Sequence, residues 1–171
     1  YNANEEVAGL RFAHNRGHQN AILAGMMYAK DFCDYTITID ADLQQDIEAI
    51  ERFIEEYVKG SEVVFGVRNS RNTDHFFKKF SATMFYKVMR SMGANIYENS
   101  ADYRLMSAKA LEALSEYDEV NLFLRGIIPD IGLASSVVHF DVFPRMQGES
   151  KYSLSKMLTL AADGITSFSI K

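Results

Sequence analysis

A chain of 171 residues with 47% hydrophobic side chains and two prolines carries enough apolar surface for one packed domain, which argues against a disordered chain. The formal net charge of −5 argues against a general nucleic-acid binder. The single cysteine, Cys33, rules out an internal disulfide, fits a reducing compartment and reads as a small packed side chain.

In chain order, Gly9-Leu10-Arg11-Phe12-Ala13-His14 is predicted as a short strand, and Asn15-Arg16-Gly17 as a turn in which Gly17 takes a positive φ. His18 to Lys30 is predicted helical, with Ala21, Ile22, Gly25, Met26 and Ala29 on one face. Tyr35-Thr36-Ile37-Thr38-Ile39 is a buried strand. A helix over 46–58 follows, with Ile47, Ile50, Ile54 and Tyr57 at helical spacing and Gly60 at its end. Glu62 to Val67 is another strand, which completes the strand–helix rhythm of a two-sided, mostly parallel sheet.

A polar loop over 68–74 leads into a helix or helix pair over 75–92, where Phe76, Phe77, Phe80, Met84 and Phe85 mix with Lys78, Lys79, Lys87 and Arg90. Three readings of that segment stand: core helix, oligomer contact, or an amphipathic helix lying in a membrane interface. Further on, 107–116 is a short helix, 137–143 a strand, 144–153 a loop and 154–167 a helix interrupted near Gly164. Neither a repeat nor a linker divides the chain, so residues 1–171 read as a single domain. No apolar run approaches the length of a membrane-spanning helix and no signal peptide is visible. The chain lacks an initiating Met and stops abruptly at Ser169-Ile170-Lys171, so the expectation is a piece of a longer protein.

The richest motif is Asp40-Ala41-Asp42-Leu43-Gln44, directly after the strand at 35–39. Residues i and i+2 of an extended segment point to one side, so two carboxylates converge at the mouth of a buried strand. Such a pair is costly unless a cation or proton neutralises it. Magnesium is commonly held by one or two carboxylates plus substrate phosphates, and open α/β sheets bind ligands at the C-terminal ends of their strands. A plainer reading stands beside this one: Asp42 begins the next helix and Asp40 closes the strand as an Asx turn. His14 and His18 are four apart, but a strand-to-helix turn between them spoils the geometry of a zinc pair.

Several stretches, taken together and in order, resemble the family 2 glycosyltransferases of GT-A fold. They are Asn15-Arg16-Gly17-His18-Gln19-Asn20-Ala21, the Asp40 motif, Val64-Phe65-Gly66-Val67-Arg68, Ala101-Asp102-Tyr103-Arg104-Leu105-Met106, Phe123-Leu124-Arg125-Gly126, Arg145-Met146-Gln147-Gly148-Glu149-Ser150-Lys151-Tyr152, and Asp163-Gly164-Ile165-Thr166-Ser167-Phe168-Ser169. The closer likeness is to the polyprenol-phosphate sugar transferases, the group of dolichol-phosphate mannose synthase and the bactoprenol glucosyltransferases. Two departures stand out. The family's early Asp-Asp-Gly-Ser segment is absent, so residues 1–8 read as the tail of a preceding helix and loop, with the first nucleotide-binding strands missing. Prolines common after the Asp-x-Asp-Leu-Gln motif are replaced by Gln45-Asp46-Ile47.

The resemblance implies inverting transfer of a hexose from a nucleoside diphosphate sugar to a polyprenyl phosphate, assisted by Mg²⁺ or Mn²⁺. Its implied metal ligands are Asp40, Asp42 and Gln44, although Gln44 equally serves as a local cap. Implied donor and phosphate contacts are Asn15, Gly17, Arg68, Arg125, Arg145, Ser150 and Lys151, a basic ring that suits phosphate oxygens. Asn15 and Gly17 are equally explained as a plain strand–helix turn. Asp102 is a candidate catalytic residue on the acceptor side, or the ion-pair partner of Arg104. The implied setting is the cytoplasmic face of a bacterial membrane, with anchoring helices C-terminal to Ser167-Phe168-Ser169 and without nucleic-acid partners; oligomerisation stays open. Rival readings are a family 2 enzyme acting on a polysaccharide or other hydroxyl, and a non-catalytic sugar-nucleotide-binding subunit.

Overall fold

The computed structural model describes residues 7–69, 97, 99–117 and 123–143. The expectations for residues 1–6, for most of the 68–74 loop, for the 75–92 and 154–167 helices and for the 144–153 loop lie outside these residues.

In chain order the elements are α1 (His18–Ala29), β1 (Tyr35–Thr38), α2 (Ala49–Val58), β2 (Val63–Arg68), β3 (Ser100–Ser107), α3 (Ala108–Ser115), α4 (Leu124–Asp130) and β4 (Ser135–Phe140). The strands form one sheet in the order β1-β3-β2-β4. β3 runs antiparallel to both β1 and β2, whereas β4 is parallel to β2. β1, β2 and β4 therefore share a direction and β3 alone is reversed. Arg104 of β3 lies across from Thr38 on one side and Phe65 on the other, so the C-terminal ends of β1 and β2 emerge at the same end of the sheet. The start of β3, with Asp102, and the end of β4, across from Arg68, lie there too.

Side-chain alternation along the strands builds a core on each face. On one face Val63, Phe65 and Met106 pack with Met26 of α1, Leu111 and Leu114 of α3, and Leu124, Ile127 and Ile128 of α4. On the other, Val64, Tyr103, Leu105, Val138 and Phe140 pack with Ala49 and Phe53 of α2. The same period of two sends Asp102 and Arg104 toward the α1, α3 and α4 side. Ser107 ends β3 and begins α3 at once: its hydroxyl accepts a hydrogen bond from the Ala110 N–H at 3.0 Å, an N-cap.

Several expectations change. β1 is half-buried along its length rather than a buried strand, because it is the edge strand of the sheet over the described residues. Gly9 to His14 is not a strand; the segment is exposed throughout and pairs with no strand among the described residues. Alternation alone does not hold a strand whose faces are both in water. The second helix begins at Ala49, not Asp46, because the Asp46 carboxylate accepts the Glu48 N–H at 3.0 Å and shapes a turn ahead of the helix. Cys33 is half-buried, and its thiol, which donates to the Ala29 carbonyl, is pushed up by burial, as a packed residue should be. No helix among the described residues is long and apolar enough to cross a membrane.

Gly66 sits where the β2–β3 register shifts, in the α2-side core. Tyr103 stacks edge-on with Phe53 at 4.7 Å and with Phe140 at 5.1 Å. A Cβ at Gly66 would stand 2.5 Å from the Tyr103 carbonyl oxygen and 3.1 Å from the Phe53 ring. Backbone cannot yield as a side chain can, so Gly66→Ala is expected to destabilise the protein by about 1–3 kcal/mol, read as a lower urea midpoint.

Candidate active site

At the shared end of the sheet the chain leaves β1 at Thr38 and turns through residues 41–43. The pair Asp40 and Asp42 therefore sits on a turn rather than on a continuing strand. Leu43 holds φ at 57°, a left-handed conformation that costs a non-glycine residue roughly 1–2 kcal/mol. Contacts on both sides hold the turn in place. The Asp42 carboxylate accepts the Gln44 N–H at 3.2 Å, an Asx-turn contact that the plainer reading assigns to Asp40, and Asp42 does not begin the helix, which starts at Ala49. Gln44 is tied to the segment after β4: its carbonyl accepts the Phe143 N–H at 2.9 Å, and its side-chain nitrogen donates to the Phe143 carbonyl at 3.2 Å. That leaves the Gln44 amide oxygen as the atom it could offer a metal.

A buried acid stands beside this turn. Asp102 is 5% exposed, and both of its oxygens accept charge-assisted hydrogen bonds. Oδ1 takes Arg104 Nη2 at 2.6 Å and Arg125 Nε at 3.2 Å. Oδ2 takes Arg125 Nη2 at 3.0 Å and lies 3.2 Å from His18 Nε2. Burial alone would push the Asp102 carboxyl up, but the hydrogen bond to His18 and the guanidiniums of Arg125 and Arg104 outweigh it and hold the group well below the usual carboxylate range. The same hydrogen bond raises His18 above its ordinary value against the opposing effect of partial burial. Burial draws the Arg104 guanidinium down to about 10, which leaves it charged at neutral pH. Its Nε and Nη1 have no hydrogen-bond partner among the described residues. The expectation of an Asp102–Arg104 ion pair is met, and the pair is the centre of a larger cluster.

That cluster joins α1, β3 and α4. Gln19, next to His18, accepts the Leu124 N–H at the start of α4 at 3.2 Å and so reinforces the junction. His18 also faces the turn, with Nε2 4.0 Å from Asp40 Oδ1. His18 and Asp40 both line an open groove of about 530 Å³ between α1 and β1, into which the apolar face of α1 also turns. Asn15 and Gly17 form the turn before α1: the Gly17 N–H donates to the Asn15 side-chain oxygen at 2.8 Å, and Gly17 takes a φ of 82°. Arg68 ends β2 at the site's end of the sheet and is exposed. Arg145, Ser150 and Lys151 lie outside the described residues.

The cluster therefore brings Asp40, Asp102 and Arg125 together, and it adds His18. The sequence places His18 at the start of a helix and in a family-like stretch, and disfavours a zinc pair with His14 there. No signal in the sequence pairs it with Asp102, which lies 84 positions away. Among the described residues no group of three or more His, Cys, Asp or Glu could cage a metal. Asp40, Asp42 and the Gln44 amide oxygen offer oxygen donors in small number, a set that Mg²⁺ would complete with water and substrate phosphates, and the His18 Nε2 lies on the same side of Asp40.

Asp102→Asn would leave Arg104 buried without its counter-charge, a loss of about 3–5 kcal/mol. Because the folded carboxyl lies below the unfolded value of about 3.9, its stabilisation is full above that pH and fades as pH falls toward the folded value. The wild-type melting temperature should thus drop more steeply below about pH 4 than that of Asp102→Asn, in thermal scans of the full-length protein.

The glycosyl transferase family 2 profile matches residues 2–115. An uncharacterised glycosyltransferase of Bacillus subtilis, YkoT, is 51% identical over 98% of this chain and 50% of its own length. The bactoprenol glucosyl transferase of Shigella phage SfX is 38% identical over 95% of this chain and 53% of its own length, and a prophage homologue in Escherichia coli is 37% identical over 95% and 53%. The chain spans about half the length of these curated relatives. With a profile match over most of its length, and a mixed sheet between helices that accords with the GT-A fold, the chain belongs to glycosyltransferase family 2.

Proposed function

We propose that this is the catalytic domain of an inverting, metal-dependent glycosyltransferase that moves a hexose from a nucleoside diphosphate sugar to a polyprenyl phosphate at the cytoplasmic face of a bacterial membrane. The observation that carries the reading is the approach of the carboxylate turn, through Asp40, to the His18 imidazole and the Arg125 guanidinium, both of which bond Asp102. Likeness to bactoprenol glucosyl transferases over 95% of the chain supports a lipid phosphate acceptor.

Asp40, Asp42 and the Gln44 oxygen would hold the cation, Mg²⁺ or Mn²⁺. When bound, the cation supplies neutralising charge for the departing diphosphate. The chain's own residues bind and orient. Arg125 and Arg68 donate to phosphate oxygens at the end of the sheet, and Asn15 and Gly17 shape the donor-side turn. Arg145, Ser150 and Lys151 are further phosphate donors in this reading. The acceptor phosphate, with a second pKa of about 6, arrives largely ionised. One of its oxygens bonds to the anomeric carbon as the bond to the diphosphate oxygen breaks on the opposite face, and no proton has to be removed. Asp102, with both oxygens bonded and its carboxyl held ionised, suits this scheme as a positioning residue for Arg125 and His18.

One observation favours a hydroxyl acceptor instead. His18 hydrogen-bonds Asp102 while its side chain stays 50% exposed, the layout of a general base and its orienter.

The deciding assay offers the full-length protein radiolabelled UDP- and GDP-sugars with Mg²⁺ or Mn²⁺, and either undecaprenyl phosphate or a panel of hydroxyl acceptors. Labelled lipid is expected, with turnover reduced roughly 10²–10³-fold in Asp42→Ala. Label in a hydroxyl product alone would replace the phosphate acceptor, and label in neither would overturn catalysis.

A further inference from the structure

Gln45 is 5% exposed, and both ends of its side-chain amide are committed to one residue. Its Oε1 accepts the Asp40 backbone N–H at 2.9 Å, and its Nε2 donates to Asp40 Oδ2, also at 2.9 Å. Donor and acceptor chemistry allow only this orientation of the amide, since Oε1 turned toward the carboxylate would set two acceptors against each other. Gln45 is itself anchored by a backbone bridge to Val142, beyond the end of β4.

The consequence falls on Asp40. Its backbone and one carboxylate oxygen are gripped by the same buried group, so its side-chain torsions are fixed. Oδ2 is turned inward to Gln45, whereas Oδ1 lies on the His18 side. A ligand carboxylate must be held within about 0.5 Å and 10–20° of its working geometry, and the groups that do so are second partners to the ligands themselves. We infer that Gln45 is a positioning residue that presents Asp40 Oδ1 to a divalent cation; the inference rests on the metal-binding reading above.

The test is Mn²⁺ affinity of the full-length protein, measured by the EPR signal of free Mn²⁺ without any sugar substrate. Gln45→Met keeps length and burial but removes both hydrogen bonds, and is expected to weaken Mn²⁺ binding about 10–100-fold. Gln45→Asn keeps the amide but is one methylene too short to meet both atoms; it should shift in the same direction and serves if the Met variant does not fold. Tyr103→Phe is the control for general loosening. It removes the hydrogen bond from the Tyr103 hydroxyl to the Asp46 carbonyl, 2.9 Å, without touching Asp40, and Mn²⁺ affinity should stay within about twofold. Equal weakening in Tyr103→Phe and Gln45→Met would overturn the inference, reducing Gln45 to a stabiliser of the turn. Unchanged affinity in both Gln45 variants, with Asp42→Ala impaired, would overturn it while sparing the metal site. Unchanged affinity in Asp42→Ala would remove the metal site and the inference together.

Discussion

Asp102 and Arg104 face the same side of β3, in the strand that joins β1 to β2, and each is nearly withdrawn from water. Neither charge is affordable there alone. Isolated, each would lose hydration worth several kcal/mol, so the pair and its outer partners exist as a set. Arg104 supplies the inward counter-charge, while Arg125 and His18 approach the same carboxylate from the solvent side. A structural ion pair therefore fixes the position of a guanidinium and an imidazole that remain partly exposed. Electrostatics that stabilise the core on one side become preorganised donors on the other, without the reorganisation that free surface side chains would need.

The carboxylate turn is held on different terms. Leu43 spends conformational energy on a left-handed backbone, and neutral hydrogen bonds to Phe143 and the bridge to Val142 offset it. Anchoring through β4 ties residues 40–45 to the sheet strand farthest from β1. The site thus spans the whole width of the sheet: one flank hangs on β3 and α4, the other on the segment that leaves β4.

Much of this was legible in sequence because it is periodic or local. The spacing of Ile50, Ile54 and Tyr57 announced α2, and those residues pack on the α2-side core. β3 was not read as a strand, although Asp102 was readable as a partner of Arg104 because they stand two apart. What was not legible depends on distant neighbours. Leu10 and Phe12 alternate as a strand would, but no strand meets them among the described residues, and their side chains stay in water. Gln45 stood out only as part of the stretch that replaces the family's prolines, because sequence does not reveal that its amide is enclosed. Gln44, its neighbour, matched the family motif and drew the attention that Gln45's burial warrants. His18 meets Asp102 only through the fold.

The reversed strand has a consequence for how the protein comes into being. β1 and β2 flank β3, yet β3 is made last of the three, with Thr36 pairing with Met106 across a long stretch of chain. Until β3 inserts, the two earlier strands have no common partner, and their edges stand open to other chains. That separation along the chain must be closed before any of the pairing is rewarded, which places the step among slow, non-local folding events. Asp40 and Asp102 become neighbours at that same moment. On the ribosome, His18 and the carboxylate turn emerge early, whereas Arg125 and the Val142 and Phe143 that anchor the turn emerge late, so the site is assembled only after the chain has passed β4.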